Sequence, residues 1–329
     1  MMCLCSCLFS GIAFVVISYY FLDWVLRLFK VGQFSEKYVF ITGCDSGFGK
    51  DLAIRLDKLG FHVFAGCLTD DGCQFLSSSC SNNLFALKVD VTKSDSIESA
   101  YNTVKFKLPS NNALWAVVNN AGIAGPTAVV EMFTRKEVIN TCEVNLFGPI
   151  EVAQTFLPLL RQSKGRLVNM VSVMGRCPAV SAPYSVSKFG MEAFTDVIRR
   201  EVSDFGVDVI AIEPGFFRTT ILDESRFFAS IKDSHEKAPE EVRQAYGATY
   251  VEDCCKIIKG VVANSSPDTY KVVDAYIHAI TSKYPRCRYL VGFDAKFIFV
   301  PLYLLPEKIM DWIMKFQEKR LLSNGERLA

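Results

Sequence analysis

The sequence predicts a doubly wound α/β fold built on one parallel sheet of seven strands. From residue 36 onward, short apolar segments alternate with segments of helical periodicity. The apolar segments are hydrophobic throughout rather than at every second position, as strands are when both faces of a sheet are covered. Repeated strand–helix–strand units form an open sheet whose ligands bind at the carboxyl ends of the strands.

The chain of 329 residues is long enough for one large domain, and its composition excludes some functions. α/β domains often reach about 250 residues. The formal net charge of +1 gives no electrostatic basis for binding nucleic acid. The 12 cysteines lack zinc-like spacing, so we expect no metal site and mostly free thiols. Cys3, Cys5 and Cys7, beside an apolar segment, are candidates for palmitoylation.

Residues 1–30 are predicted to anchor the chain in a membrane. Residues 8–26 are almost entirely apolar, and about 20 such residues cross a bilayer. Aromatic residues typical of the membrane interface lie near the end of this stretch: Tyr19, Tyr20 and Trp24. Basic residues follow the stretch rather than precede it, which predicts a cytosolic domain after it. A helix in the membrane plane or inside the fold is the alternative.

Seven apolar segments are the predicted strands, at residues 38–43, 61–68, 84–91, 114–122, 165–172, 208–215 and 288–292. Apolar residues recur with helical spacing between them, which predicts helices at residues 50–60, 94–107, 145–161 and 184–205. These elements define a single domain over residues 36–300.

The loop after the first strand contains three glycines, Gly43, Gly47 and Gly49. A tight turn there needs a positive φ, which glycine adopts without strain. The missing side chains let the backbone approach a pyrophosphate, whose charge the helix N-terminus favours. A plain turn would explain one or two glycines, whereas three predict a dinucleotide site.

Tyr184 and Lys188 lie four residues apart on a predicted helix and therefore share one face. A free tyrosine has a pKa of about 10, and a nearby ammonium favours the phenolate that takes a proton from a substrate hydroxyl. Ser172 ends the fifth strand, and its hydroxyl is suited to hydrogen-bonding the reacting oxygen. A helix cap is the structural alternative for Ser172.

Over about residues 36–300 the chain resembles the short-chain dehydrogenases/reductases, because it carries a series of their sequence motifs in the same order. The chain has T-G-x-x-x-G-x-G at 42–49, NNAG at 119–122, VNLFG at 144–148, YSVSK at 184–188 and PG at 214–215. The segments FITGCDSGFG and SKFGMEAF are similar to membrane-bound retinol and hydroxysteroid dehydrogenases. The resemblance implies a Rossmann fold and an oxidoreductase of lipophilic alcohols that uses a nicotinamide cofactor.

The resemblance also implies roles for individual residues. Asn145 joins Ser172, Tyr184 and Lys188 in the catalytic set and holds a water that relays protons to Lys188. The implied cofactor-binding residues are Thr42, Gly43, Asp45, Ser46, Gly47, Phe48, Gly49, Cys67, Asp90, Val91, Asn119, Ala121, Gly122, Tyr184, Lys188, Pro214, Gly215 and Thr219. The implied substrate-binding residues are Ser172, Tyr184, Phe216 and Phe217.

We expect NAD rather than NADP as the cofactor. An acid near the end of the second strand binds a ribose 2′-hydroxyl, whereas an arginine suits a 2′-phosphate. That strand has no acid squarely at its end, and no arginine or lysine lies between Lys58 and Lys88. A 2′-phosphate would therefore lack a partner. Lys50, just after the glycine loop, is the residue that would favour NADP.

Residues 216–250, the cover segment, are expected to close over the substrate. The first half of this segment is apolar and suits a retinoid or steroid alcohol, although docking onto the core would explain it too. Residues 181–183 read Ser-Ala-Pro where relatives usually carry glycines, which alters the expected pocket wall. Residues 301–329 are predicted to form an amphipathic segment at the membrane surface or over the substrate entrance.

We therefore expect a retinol dehydrogenase of the endoplasmic reticulum membrane with a cytosolic catalytic domain. A 3α- or 17β-hydroxysteroid dehydrogenase is the alternative substrate assignment. A non-catalytic dinucleotide-binding scaffold is the alternative of another class. Analogy with the family suggests a homodimer formed by the helices after strands four and five.

Overall fold

The computed structural model describes residues 2–109, 113–179 and 181–325, with side chains except at 2–10, 12, 13, 318 and 320–325. Its strands are β1 (Tyr38–Thr42), β2 (His62–Cys67), β3 (Leu84–Lys88), β4 (Leu114–Asn119), β5 (Arg166–Met170), β6 (Asp208–Pro214) and β7 (Arg288–Val291). They form one sheet in the order β3-β2-β1-β4-β5-β6-β7, and all neighbours are parallel. The predicted doubly wound seven-stranded parallel sheet is confirmed.

The strand order reverses between β1 and β4, and ligands of such sheets bind at this switch point. The helices are α1 (Met2–Arg27), α2 (Gly47–Lys58), α3 (Asp70–Ser79), α4 (Ser94–Lys107), α5 (Arg135–Cys142), α6 (Gly148–Ser163), α7 (Ala182–Glu201), α8 (Glu224–Lys237), α9 (Glu240–Tyr246), α10 (Tyr250–Asn264), α11 (Tyr270–Thr281), α12 (Val300–Tyr303) and α13 (Glu307–Gly325). The predicted helix at 145–161 differs in one respect, because a π-helical turn, Glu143–Phe147, precedes α6.

Both faces of the sheet are buried, which explains the continuous apolar runs in the strands. Val39, Phe40 and Ile41 of β1 are all fully buried. Val39 and Ile41 pack with residues of α2, α3 and α11, whereas Phe40 packs with residues of α4, α6 and α7. The Phe40 ring stacks on Phe156 with centroids 4.5 Å apart.

The N-terminal segment is joined to the sheet domain through the end of α11. The amide of Val31 donates to the Thr281 carbonyl at 2.8 Å, and the amide of Lys283 donates to Phe29 at 2.7 Å. In the described part of the chain, no helix has the length and apolarity needed to span a membrane. The predicted anchor at 1–30 falls partly outside the described side chains.

Other sequence predictions also concern residues that the structure does not describe. The side chains of Cys3, Cys5 and Cys7 lie outside the described residues, as do residues 326–329 of the predicted C-terminal segment. Within the described chain no disulfide is present.

Candidate active site

A cavity of about 700 Å³ opens at the carboxyl ends of the strands, beneath the cover segment. Its walls include most of the predicted site residues: Gly43, Asp45, Ser46, Gly47, Phe48, Asp90, Val91, Ala121, Gly122, Ser172, Tyr184, Lys188, Pro214, Gly215, Phe216, Phe217 and Thr219. The fold therefore brings the glycine loop and the Ser–Tyr–Lys residues to one cavity, although they are more than 120 residues apart in the sequence.

The glycine loop passes so close to neighbouring backbone that side chains are excluded. Gly43 has φ +71°, and a Cβ there would lie 2.7 Å from the Cα of Ala121. A Cβ at Gly49 would lie 2.3 Å from the Gly43 carbonyl oxygen. The loop leads into the N-terminus of α2, where the Ser46 side chain makes no capping hydrogen bond. Open backbone N–H groups and a close approach fit the pyrophosphate of a dinucleotide.

Thr42 and Asn120 brace this loop from behind. The Thr42 hydroxyl accepts hydrogen bonds from the amides of Asn120 and Ala121, both at 3.1 Å. The Asn120 amide nitrogen donates to the carbonyls of Thr42 and Gly43, at 3.1 and 3.0 Å. The Tyr276 hydroxyl donates to the Asn120 side-chain oxygen at 3.2 Å. The loop is therefore held in shape by side chains from the end of β1, the residue after β4, and α11.

Asp45 links the glycine loop to the end of β2. Its carboxylate accepts hydrogen bonds from the Leu68 amide at 2.8 Å, from the Thr69 amide at 2.8 Å and from the Thr69 hydroxyl at 2.6 Å. Leu68 and Thr69 line the cavity, whereas Cys67 is fully buried and does not. An acid thus lies beside the end of β2, although it comes from a different loop.

Tyr184 and Lys188 of α7 face the cavity together with Ser172. Ser172 hydrogen-bonds the Tyr184 side chain, and burial raises the pKa of the Tyr184 phenol while this bond opposes the rise. Lys188 is 2% exposed, and its ammonium donates to the Met170 carbonyl at 3.0 Å. Burial lowers the pKa of Lys188 to about 8. Burial disfavours the charged form of both Tyr184 and Lys188, and such shifted pKa values are typical of catalytic residues.

Asn145 lies in the π-helical turn behind these residues rather than in the cavity wall. Its side-chain oxygen accepts from the Ile123 amide at 2.8 Å, and its nitrogen donates to the Ile123 carbonyl at 2.8 Å and to Ser187 at 3.1 Å. A Cβ at Gly122 would lie 3.3 Å from the Asn145 oxygen and 3.8 Å from the Lys188 nitrogen. Asn145 therefore fixes the segment after β4, next to Lys188.

A buried ion cluster joins α7 to β6 and β7 behind the cavity. Glu213 is 1% exposed and accepts from Arg176 at 2.7 Å and from Arg288 at 2.6 Å. Arg288 also pairs with Glu192, which lies one turn after Lys188 on α7. Burial, and then the charge of Glu213, raise the pKa of Glu192. Because Glu213 precedes Pro214 and Arg176 follows Ser172 closely, the cluster holds the catalytic segments together.

The end of β6 and the segment after it form a cavity wall that adjoins the glycine loop. The Phe216 amide donates to the Asp294 carboxylate at 2.7 Å, and the Phe216 ring lies 5.6 Å from that of Phe299. The Phe217 side chain is 3% exposed and packs edge-on against Phe48, at 6.1 Å. Residues 216 and 217 thus pack onto the core as well as lining the cavity. Packing onto the core is the alternative role of the apolar half of the cover segment.

Several predicted residues do not line the cavity: Thr42, Gly49, Cys67, Asn119 and Asn145. Asn119 points away and donates to the Pro149 carbonyl at 2.9 Å and to Asn169 at 3.0 Å, so Asn120 is the residue of this motif in the wall. Lys50 also lies outside the wall, with its ammonium 5.0 Å from the Phe75 ring centre. Sequence reasoning did not select Asn120, Leu68, Thr69 or Asp294.

Comparison with known proteins identifies the family to which this chain belongs. The family model of the short chain dehydrogenases matches residues 37–228. The chain belongs to the short-chain dehydrogenase family. It is 42% identical over 296 residues to 17-beta-hydroxysteroid dehydrogenase type 6 from Homo sapiens, covering 90% of this chain and 93% of the relative. It is 41% identical, with the same coverage, to Retinol dehydrogenase 16 from Homo sapiens.

Solved structures of the short-chain dehydrogenase family show the same fold. A short-chain dehydrogenase from Streptomyces avermitilis superposes with a TM-score of 0.65 at 23% identity, covering 88% of this chain and 98% of that chain. The predicted resemblance to the retinol and hydroxysteroid dehydrogenase branch is confirmed. So is the predicted enzyme class, an oxidoreductase that acts on CH–OH groups with a nicotinamide cofactor.

Proposed function

We propose that this enzyme interconverts retinol and retinal, with NAD as its cofactor and Tyr184 as its acid–base group. The observation that carries the proposal is the meeting of Ser172, Tyr184 and Lys188 in one cavity with the glycine loop. Bound NAD would supply the hydride acceptor for alcohol oxidation, and its reduced form the donor for the reverse reaction.

Each catalytic side chain has a distinct task in this proposal. Tyr184 takes the proton of the substrate hydroxyl during oxidation and returns it during reduction. Ser172 hydrogen-bonds the reacting oxygen. Lys188, when protonated, stabilises the Tyr184 phenolate, and Asn145 holds the segment after β4 beside Lys188. Because burial raises the pKa of Tyr184, oxidation should accelerate as pH rises.

The cofactor site of the proposal follows the cavity from α2 to β6. Gly43, Ser46, Gly47 and Phe48 seat the pyrophosphate, with Thr42 and Gly49 shaping the loop. Asp90, Val91, Ala121 and Gly122 border the adenosine half, and Pro214, Gly215 and Thr219 border the nicotinamide. Cys67 and Asn119, which the family resemblance also assigns to this site, lie outside the cavity wall.

Asp45 favours NAD over NADP. Its carboxylate accepts from Leu68 and Thr69 at the end of β2, where the ribose 2′-position binds in such folds. A fixed negative charge accepts a hydrogen bond from a 2′-hydroxyl and repels a 2′-phosphate. Lys50, the residue expected to favour NADP, lies over Phe75 outside the cavity wall.

A lipophilic substrate fits the apolar part of the cavity beside Ser172. Phe216, Ile123, Leu222 and Phe227 line this part together with Phe217. The relatives named above are a retinol dehydrogenase and a hydroxysteroid dehydrogenase, so a 3α- or 17β-hydroxysteroid is the second candidate substrate. A non-catalytic scaffold is disfavoured because the catalytic set is complete.

The proposed location is the endoplasmic reticulum membrane, with residues 1–30 as anchor and the catalytic domain at 36–300 in the cytosol. Exposed apolar side chains on the described part of residues 301–329 support membrane contact by α13: Ile309, Trp312 and Phe316.

A homodimer is proposed through α6 and α7, because apolar side chains at this surface are at least 37% exposed: Phe147, Val186, Phe189 and Val197.

A substrate screen tests the proposed function. Membranes containing the full-length protein are supplied with retinols, androstane diols or fatty alcohols, each with NAD or NADP, and the reduced cofactor is measured. Fastest turnover of retinol with NAD is the expected result. Preference for an androstane diol would instead establish the steroid assignment, and absence of turnover with every alcohol would contradict both.

A further inference from the structure

A second groove, of about 600 Å³, lies where the end of α1 meets α11 and the segment after β7. Three aromatic side chains line it, Trp24, Phe293 and Phe297, and they are 56%, 73% and 65% exposed. The Phe293 and Phe297 rings contact each other with centroids 5.0 Å apart. Neighbouring exposed aromatic side chains of this kind mark an interaction surface rather than a folded core.

The charge of the groove is predominantly positive. Arg27, Lys271, Arg286 and Lys296 line it, whereas Asp274 is the acidic residue among its described walls and pairs with Arg55 at 2.5 Å. Asp23, just outside, pairs with Arg27 and Arg286, and Lys271 pairs with Asp268 at 2.6 Å. Lys296 is exposed and has no ion pair with a described side chain, so positive charge remains to attract an anion.

The combination of features indicates the chemistry of the ligand. Arginine and lysine side chains bind phosphate, and aromatic side chains at the same level contact acyl chains at a membrane interface. The exposed apolar surface also continues from the groove along α1 through Leu28, Phe21 and Tyr20. A free phosphate would use the cations and leave the aromatic side chains without a partner.

We propose that this groove binds an anionic phospholipid, with the phosphate at the basic side chains and an acyl chain over Trp24, Phe293 and Phe297. The segment that carries Phe293 and Phe297 also contacts the active-site wall. Asp294 of this segment accepts a hydrogen bond from the amide of Phe216, a wall residue, at 2.7 Å. The binding proposal does not depend on the proposed reaction, and its test needs no turnover.

Trp24 provides the reporter for the test once Trp312 is removed, because Trp24 is exposed whereas the remaining tryptophan, Trp115, is half-buried and donates to the Ile280 carbonyl at 3.0 Å. The full-length Trp312→Phe protein is reconstituted into phosphatidylcholine vesicles that contain a minor fraction of either phosphatidylserine or phosphatidylcholine brominated in its acyl chains. Bromine quenches a tryptophan that it contacts, so stronger quenching by brominated phosphatidylserine reports selection of the anionic lipid at the groove. We expect this preference, and we expect high salt to weaken it.

Charge variants separate the groove from general attraction to the membrane. Lys271→Gln with Lys296→Gln should lower the preference by about fivefold for each lysine removed. The matched control, Lys58→Gln with Lys136→Gln on exposed parts of α2 and α5, should keep it. Unchanged thermal unfolding midpoints of both double variants would show that each is folded.

Four results would overturn the proposal. The first is equal quenching by the two lipids, and the second is a preference that survives in the Lys271/Lys296 variant. The third is loss of the preference on adding inorganic phosphate at constant ionic strength. The fourth is a dimer in detergent that Phe293→Ser dissociates, since a second copy of the chain would then occupy the groove.

Discussion

The Lys188 ammonium nitrogen lies 5.6 Å from the centre of the Tyr184 ring, one turn along the same helix. Burial lowers the pKa of Lys188 to about 8, and the Met170 carbonyl is its hydrogen-bond acceptor. The protein therefore keeps a cation in an unfavourable place, where it is useful to a tyrosine that must exchange a proton.

This arrangement predicts that Lys188→Met lowers activity but raises stability at neutral pH. The pKa of Lys188 falls from 10.5 to about 8 on folding. Between pH 8 and pH 10.5 the Lys188 side chain is therefore protonated in the unfolded chain and neutral in the folded protein. The ionised side chain then costs up to about 3 kcal/mol below pH 8, and the cost disappears above the unfolded pKa. Loss of the bond to Met170 reduces the gain.

Urea unfolding at several pH values measures this effect. The stability advantage of Lys188→Met over wild type should be largest at or below pH 8 and should shrink as pH rises toward 10. Lys136→Met, at an exposed position, is the control and should show no such trend. A wild type that is more stable than Lys188→Met at pH 7 would refute the prediction.

The ion cluster predicts a large loss of stability on removing Glu213. Glu213→Ala leaves Arg176 without its buried partner and leaves Arg288 with Glu192 and Asp196, so we expect a loss of about 3 kcal/mol in the free energy of unfolding, the lower end of the range for breaking a buried pair. Asp274→Ala breaks the exposed pair with Arg55 and should cost less than about 1 kcal/mol. Equal losses in urea unfolding would show that the cluster does not hold β6 to α7.

The glycine loop predicts that Gly49→Ala weakens cofactor binding. The new Cβ would lie 2.3 Å from the Gly43 carbonyl oxygen, so the loop must shift. A loss of about 1.4 kcal/mol in binding is a tenfold rise in Kd, and we expect at least that for NADH, measured by fluorescence titration. Gly32→Ala, with nothing within 4 Å of the new Cβ, is the control. Unchanged binding in Gly49→Ala would remove the loop from the cofactor site.

The position of Asp45 predicts that Asp45→Asn shifts the cofactor preference toward NADP. The amide retains an oxygen for Leu68 or Thr69 but removes the charge that would face a 2′-phosphate. We expect the ratio of kcat/KM for NADP over NAD to rise by about tenfold, a change of about 1.4 kcal/mol. Asp70→Asn, whose carboxylate pairs with Lys88 at 2.9 Å, is the neighbouring control. A ratio that stays constant in Asp45→Asn would place the 2′-position elsewhere.

The sequence was sufficient for the strands, the glycine loop and the Ser172–Tyr184–Lys188 set, because each depends on local spacing. It was insufficient at strand ends, where Cys67 and Asn119 were predicted and the next residues, Leu68 and Asn120, face the cavity. Successive side chains of a strand point to opposite faces, so a shift of one residue at a strand end decides which side chain faces the cavity.

Contacts between distant segments could not be predicted for a second reason. Asp45 reaches Leu68 across 23 residues, and Asp294 reaches Phe216 across 78. Neither contact has a local periodicity or motif, since it depends on how loops from different strands meet at one edge of the sheet. The position of the Asp45 carboxylate beside the end of β2 is therefore visible only in three dimensions.

The central claim is that Tyr184 exchanges the proton of the substrate alcohol, and Tyr184→Phe tests it most directly. Wild type and variant are compared for NADH binding and for NAD reduction with retinol and an androstane diol. The variant should bind NADH with unchanged affinity and lose about 10²–10⁴-fold in kcat, the usual contribution of a positioned acid–base group. Equal turnover by the two proteins, with equal NADH binding, would contradict the catalytic role of Tyr184.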